Sequence, residues 1–405
     1  MELQVASIPI VQYQIFYTLD LEINPTSSLN IAGRVHSNQN IYAAPQQVLT
    51  FQGAVTAFDQ IFHYQHPNDP VTRSFGTVIY QSQRRAGVKI LSLPIGTNNN
   101  SGAVHSIIEI PPASENPVSP MGSQRYYNKA DLIILVSDSA IAGTSGSYDG
   151  FSIIVAQTNL FKFLNTNVTF FNKRENKTIR TSQLDITKFN AQYSNLRSLL
   201  GRDIKTLYIA DGRSQSSGTE SGVRLINGQV LPALGLTVAT PNPLYVKGHY
   251  NAPSGYVGTT NTFTTVPASL VADSITILSG NWTNANSSLG LDSRLANNTT
   301  INAAMVAGIV PTGNGYYSGG LENFLRLLED WTGKTFTFNG SIAALFRSQI
   351  ANAPWGASAD VYMSPIRNWG FDANFSDSTR QPPGTPEVRT IIRGAWTTVL
   401  ANSTQ

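Results

Sequence analysis

The feature that most constrains this chain is a repeat of 20 residues near its start. "LNIAGRVHSN" begins at Leu29 and "LTFQGAVTAF" at Leu49. At that offset Leu29 meets Leu49, Ile31 meets Phe51, Gly33 meets Gly53, Val35 meets Val55, Ile41 meets Ile61 and Tyr42 meets Phe62. Apolar residues alternating with polar ones turn one face of an extended strand inward. Glycine at a fixed place in each unit permits a bend where a side chain would clash. Units of this length cannot bury a core alone, but stacked units share a continuous one. The pattern returns at "LYVKGHY" (Leu244, Val246, Gly248, Tyr250) and at "FTFNGSI" (Phe336, Phe338, Gly340, Ile342). "SLVADSITIL" from Ser269 and "TINAAMVAGIVP" from Thr300 are two further candidate rungs. The expected fold is mainly β, a β-solenoid or β-helix-like stack; ordinary hairpins of a β-sandwich are the alternative.

The rest of the chain suggests four parts. Residues 1–125 are the β-rich part with the 20-residue repeat. Residues 126–215 read as an inserted α/β unit: an apolar strand from Leu132 to Val136, a strand–turn–strand around Lys173 to Asn176, a short helix closed by Gly201, and the strand "IKTLYIAD". Residues 216–350 hold a second set of rungs and a predicted helix over 319–331. There Leu321, Phe324, Leu325, Leu328 and Trp331 fall on one helical face, with Ser318 as N-cap and Gly333 as stop. Such a helix would flank the stack and cover an exposed sheet edge. Residues 351–405, rich in Pro and Gly, read as an extended tail anchored by Trp355 and Trp369, with "VRTIIRGAWTTVL" returning as a strand.

Composition narrows the function classes. Charged residues make up 13% of the chain, about half the usual ~25%, and Ser, Thr, Asn, Gln and Gly take their place. That surface is common in extracellular β-proteins. A net charge of +3 without a Lys/Arg run argues against nucleic acid. The absence of cysteine excludes disulfides, thiolate metal sites and cysteine nucleophiles. The apolar start is broken by Gln12, Gln14, Asp20 and Glu22, short of the ~20 apolar residues of a membrane helix. The run Val5 to Phe16 is either tucked along the body or offered to a partner chain as an added strand.

No nucleophile elbow, phosphate loop, dinucleotide fingerprint or zinc-protease motif occurs, and no catalytic, cofactor or metal residue is assigned. His63 and His66 with Asp69 come nearest to a metal constellation, yet their spacing suits neither a helix face nor one side of a strand. Asp138 and Asp149 lack the alternating acids of a calcium loop. Asp211 and Glu220 fall in a stretch read as a flexible loop. Asp273, in a rung, and Asp292, in the loop after it, are the pair a polysaccharide lyase or hydrolase would need to bring within roughly 5–10 Å. Tyr316, Tyr317, Trp355 and Trp369 are the aromatics a sugar-binding module would use.

Several stretches carry a resemblance. "FYTLDLEINPTSSLNIAGRVHSNQNIY", "YYNKADLIILVSD", "FFNKRENKTIRTSQLDITKF", "VRLINGQVLPALGLTVATPNPLYVKGHYN", "PASLVADSITILSGNW" and "GLENFLRLLEDWTGKTFTFNGSI" follow one another in this order. Together they resemble uncharacterised secreted proteins of Gram-negative bacteria. In those, the ectodomain follows a hydrophobic segment like that of PilX-type type IV pilus assembly proteins. The resemblance implies export and a place in or near a pilus or surface filament, with pilus subunits or other copies of the chain as partners. Surface polysaccharide is a further expected partner. The family carries no catalytic residues to transfer, and its hydrophobic anchor has no counterpart at the start of this sequence. The expectation is therefore a non-enzymatic extracellular structural or adhesive protein. A polysaccharide-degrading enzyme and a carbohydrate-binding module are the alternatives.

Overall fold

The 20-residue offset is realised as sideways pairing of strands. A computed structural model describes residues 3–146, 153–355 and 360–393. Leu29–Ile31 pairs in parallel with Val48–Phe51, Val35–Ser37 with Val55–Ala57, and Ile41–Ala43 with Ile61–Phe62. The Cα partners are Leu29 and Leu49, Ile31 and Phe51, Val35 and Val55, Ile41 and Ile61, Tyr42 and Phe62. Each unit thus makes three short strands joined by bends, and each strand joins a different sheet. The stacked apolar residues belong to one interior core. At the bend, a Cβ on Gly53 would lie 2.3 Å from the Gly33 carbonyl oxygen, so successive units close to this distance only through glycine.

The protein is mainly β, and its sheets are largely parallel. The longest sheet has 13 strands. From one edge it runs through Arg84–Arg85, Val55–Ala57, Val35–Ser37 and Ile15–Tyr17. It continues through Thr335–Arg347, Thr299–Ile309, Ala268–Ala272, Leu236–Ala239, Thr206–Asp211 and Leu132–Val136. An antiparallel margin, Ile141–Ser145 and Ile154–Val155, closes it, and Ile366–Gly370 lies beside Thr335–Arg347. The chain therefore enters this sheet in its middle. It steps outward to Arg85, returns over the outside through residues 86–131, and restarts at the far end. It then winds back until Thr335–Arg347 meets its own first strand, with Ile15 opposite Ile342.

Apart from its edge strands, the long sheet is buried on both faces. One side points into the interior core; the other, with Phe16, Ile133, Tyr208, Ala304, Val306 and Phe346, packs against Leu91, Leu93, Val104, Ile107 and Tyr126 of the returning segment. Burial on two faces explains the unbroken apolar run Leu132 to Val136. The second sheet has six strands: Leu164–Asn172, Lys177–Asp185, Thr219–Ile226, Leu244–Lys247, Ile275–Leu278 and Leu325–Leu327.

Two sequence expectations are corrected. The helix over 319–331 does not form. Leu321–Asn323 is a single 3-10 turn, and Leu325–Leu327 is a strand paired with Ile275–Leu278. Leu325 and Leu327 face the interior core, while Arg326, bound to Glu175 and the Ala351 carbonyl, and Leu328, packed with Val361, are buried on the other side. A strand buried on both faces yields an apolar pattern that also fits a helix. The helix at the end of the stack is instead Ile186–Leu200. It starts on the Asp185 side chain, stops at Gly201 (φ 67°), and buries Ile186, Phe189, Leu196 and Leu200 in the interior core.

Second, residues 126–215 do not stand apart as an α/β unit, since Thr206–Tyr208 pairs with Thr237–Ala239 and Thr178–Asp185 with Thr219–Ile226 in the shared sheets. The N-terminal run takes the tucked one of its two expected arrangements. Leu3–Pro9 pairs antiparallel with Glu387–Arg393, and Ile10 and Val11 are buried against the outer face of the long sheet. That pairing also makes the tail a strand, as expected for Val388 onward; residues 394–405 lie outside the described residues.

Candidate functional site

The residues singled out for chemistry are mostly occupied with structure. Asp273 is fully buried. Its carboxylate accepts the amides of Gln349 (2.6 Å), Ile350 (3.2 Å) and Ala351 (2.9 Å) and lies 3.3 Å from His105 Nε2. It thereby ties the returning segment to the end of the last long strand. Asp292 is exposed in the 3-10 turn Leu291–Ser293, so nothing pairs it with Asp273. Asp211 and Glu220 are not in a flexible loop: both are buried on strands, Asp211 bound to Arg213 (2.9 Å) and Ser182 (2.7 Å), Glu220 to Lys177 (2.9 Å). His63 Nε2 is 3.0 Å from the Tyr80 hydroxyl, His66 lies 3.7 Å from Asp20, and Asp69 binds Arg73. Among the described residues no three potential ligands gather for a metal ion. Asp138 pairs with Arg180 and Ser214; Asp149 lies outside the described residues. Trp355 packs edge-on against Tyr317, and Trp369 against Phe336 and Phe338, leaving Tyr316 as the exposed member of the four.

An open concave surface lies elsewhere, on the outer face of the six-stranded sheet. Strand alternation puts Val223, Leu225, Leu244 and Val246 inward and Arg224, Ile226, Tyr245 and Lys247 outward. Two adjoining depressions of about 390 and 420 Å³ share Gln183 and Ile226. The first is lined by Phe161, Lys162, Asn165, Thr166, Asn167 and Lys188, and the second by Arg224, Asn227, Gln229, Lys247, His249 and Gly280. Phe161 is half exposed at the rim of the first. Only one carboxylate lines either depression. It is Asp185, whose oxygens accept the Lys188 amide (3.1 Å) and the Asn227 side-chain amide (3.0 Å).

Among the described residues the cations here form no ion pair, and the acid acting on Lys247 is Glu329. Arg224 Nε donates to Gln183 Oε1 (2.8 Å) and Nη1 to Asn284 Oδ1 (2.7 Å), both neutral amides, while its guanidinium lies 5.4 Å over the Phe170 ring. Burial pushes Arg224 down to about 10. Burial, and then the charge of Arg224, also lowers Lys247. His249 Nδ1 accepts the Thr300 amide (3.0 Å), and burial lowers its pKa, so the neutral ring carries its proton on Nε2. Glu329, nearby but not lining the depression, is held by Ser279 and raised to about 7 by burial. The arrangement offers hydrogen-bond donors and amides, an aromatic rim and positive charge. It holds no nucleophile beside a base.

Sequence reasoning missed this surface because it read these strands for their inward residues. The one signal was "VKGHY", where Gly248 takes φ 79° and turns the chain so that Lys247 and His249 border one depression. The chain matches no known family model, no curated protein and no solved structure. No helix among the described residues is long and apolar enough to cross a membrane.

Proposed function

We propose that this is a non-enzymatic structural or adhesive protein of the cell exterior. It is built on a β-solenoid and associated with a pilus, another surface filament or further copies of itself, and its groove on the six-stranded sheet holds a saccharide chain. The solenoid reading is supported by in-register parallel pairing at a 20-residue offset and by coils that advance in one direction through both halves of the long sheet. The exterior location is supported by the low charge content and by the resemblance to secreted pilus-anchored proteins. The observation that carries the binding role is the groove itself. It offers amides and hydroxyls for sugar hydroxyls and an exposed aromatic face at its rim, with no general acid/base pair. Retention on insoluble pectin, glucan, chitin or peptidoglycan, with no new reducing or unsaturated ends released, is the expected result. Failure to bind any of the four refutes the saccharide reading.

A second reading, a polysaccharide-degrading enzyme, is favoured by one observation. A depression of about 220 Å³ where the first coil meets the last long strands is lined by Asp20, Glu22, His66 and Thr312. Burial pushes Glu22 up to about 7, while His66 and Asn40 hold Asp20 below its usual range. Two carboxyls driven apart in this way are the signature of an acid and its partner. Release of new ends that disappears with Glu22→Gln would establish this reading in place of the first.

A further inference from the structure

We infer that the second depression of the groove, bounded by Arg224, Lys247 and His249, is a carboxylate-binding subsite that selects acidic, uronate-type polysaccharide over neutral glycan. This rests on the reading of the groove as a saccharide site and names the class of chain it takes.

Four observations lead there. First, three nitrogen-bearing side chains of the basic residues line one depression with no carboxylate among its lining residues. Second, the hydrogen bonds of Arg224 end on amide oxygens, and Lys247 Nζ makes no hydrogen bond or ion pair with a described residue. Third, His249 is fixed by the Thr300 amide in the tautomer that leaves an Nε2–H donor. Fourth, Arg224 and Lys247 border the same depression, and burial lowers both, the charge of Arg224 adding to the lowering of Lys247 and that of Glu329 only partly offsetting it. An anion placed between them relieves that repulsion and gains charge-assisted hydrogen bonds.

The rest of the groove decides between anions. The adjoining depression presents Asn165, Thr166, Asn167 and Gln183, suited to hydroxyls, and Lys162 and Lys188 set apart from the first pair. Sparse cations among amides match a chain with one carboxylate per sugar ring. Nucleic acid instead presents a dense phosphate row, met by Lys/Arg clusters and stacking platforms, which a net charge of +3 does not supply.

The test is calorimetric titration of the full chain with three probes: a galacturonate octamer, the same octamer fully methyl-esterified, and acetate. The acidic octamer is expected to bind at least ten-fold tighter than its ester, and Lys247→Met to remove most of that difference by weakening the acid far more than the ester. Tightness for the acid should fall with added salt. Arg224→Gln should act alike, and Lys247→Met, at a half-buried position, serves where Arg224→Gln fails to fold. Equal binding of acid and ester overturns the subsite but leaves the saccharide groove standing. Binding of neither octamer overturns both. Acetate as tight as the octamer reduces the subsite to a simple anion pocket, and a thymidine oligonucleotide binding tighter than the octamer overturns the choice of polysaccharide.

Discussion

Gly53→Val measures how closely successive coils approach. A Cβ at residue 53 would stand 2.3 Å from the Gly33 carbonyl oxygen, 2.5 Å from its carbon and 2.9 Å from the Arg34 amide. All three are backbone atoms, so no rotamer change removes the conflict. Ordinary contact begins near 3.4 Å, and the two units must part by about 1 Å at this bend, about a fifth of the ~4.8 Å between strands. The flanking bonds from Gln52 N to Ile31 O and from Val35 N to Ala54 O, both 2.9 Å, stretch with it. Overpacking costs roughly 1–3 kcal/mol and a weakened backbone bond about 1 kcal/mol, so a loss of about 3 kcal/mol is expected. With a urea slope of about 3 kcal/mol/M, the midpoint falls by about 1 M. Gly255→Ala, where an added Cβ meets nothing within 4 Å, is the control and should leave the midpoint in place. If Gly53→Val matches that control, the coils do not touch at Gly33 and the stacking argument fails there.

Two further outcomes follow from buried acids. Asp273→Asn should destabilise the fold by about 3 kcal/mol, as expected when a buried charge pair loses one partner, and calorimetric melting reads it. In the wild type, Asp273 is lowered and His105 raised, despite the burial that works against both charged forms. The Asp273 share of stability is therefore lost as pH falls below about 3.9, and the His105 share as pH rises above about 6.5. Loss of the wild-type maximum between these limits in Asp273→Asn confirms the pair; an unchanged pH profile refutes it. Glu22→Gln should have the opposite sign. Because burial raises Glu22 to about 7, wild-type stability declines as pH rises from about 4.3 through 7. The glutamine variant should be more stable by about 3 kcal/mol at pH 8 and little changed at pH 4. Equal melting temperatures at pH 8 would contradict the buried, proton-holding site.

The sequence by itself determined the unit of this structure. A 20-residue offset that superposes apolar on apolar and glycine on glycine has one simple physical solution, parallel stacking in register, and Leu29, Ile31, Val35 and Ile41 lie beside their predicted partners. The strands at 132–136, 244–247 and 268–278 were legible for the same reason, since local alternation or an apolar run records which faces are buried. Only the tertiary structure decided the order of the strands within the sheets. Nothing local in Ile15 or Ile342 announces that the first strand abuts the last long one, because any two inward-facing apolar strands satisfy the same pattern. It also decided that Leu321–Asn323 is a turn and Leu325–Leu327 a strand, since Glu175, Ala351 and Val361 cover the side opposite the interior core and burial of both faces erases the period. The groove was illegible for a related reason. Its residues, Gln183, Arg224, Lys247 and His249, are spread over 67 positions of sequence (249 − 183 + 1 = 67), and they become neighbours only when parallel strands from successive coils lie side by side.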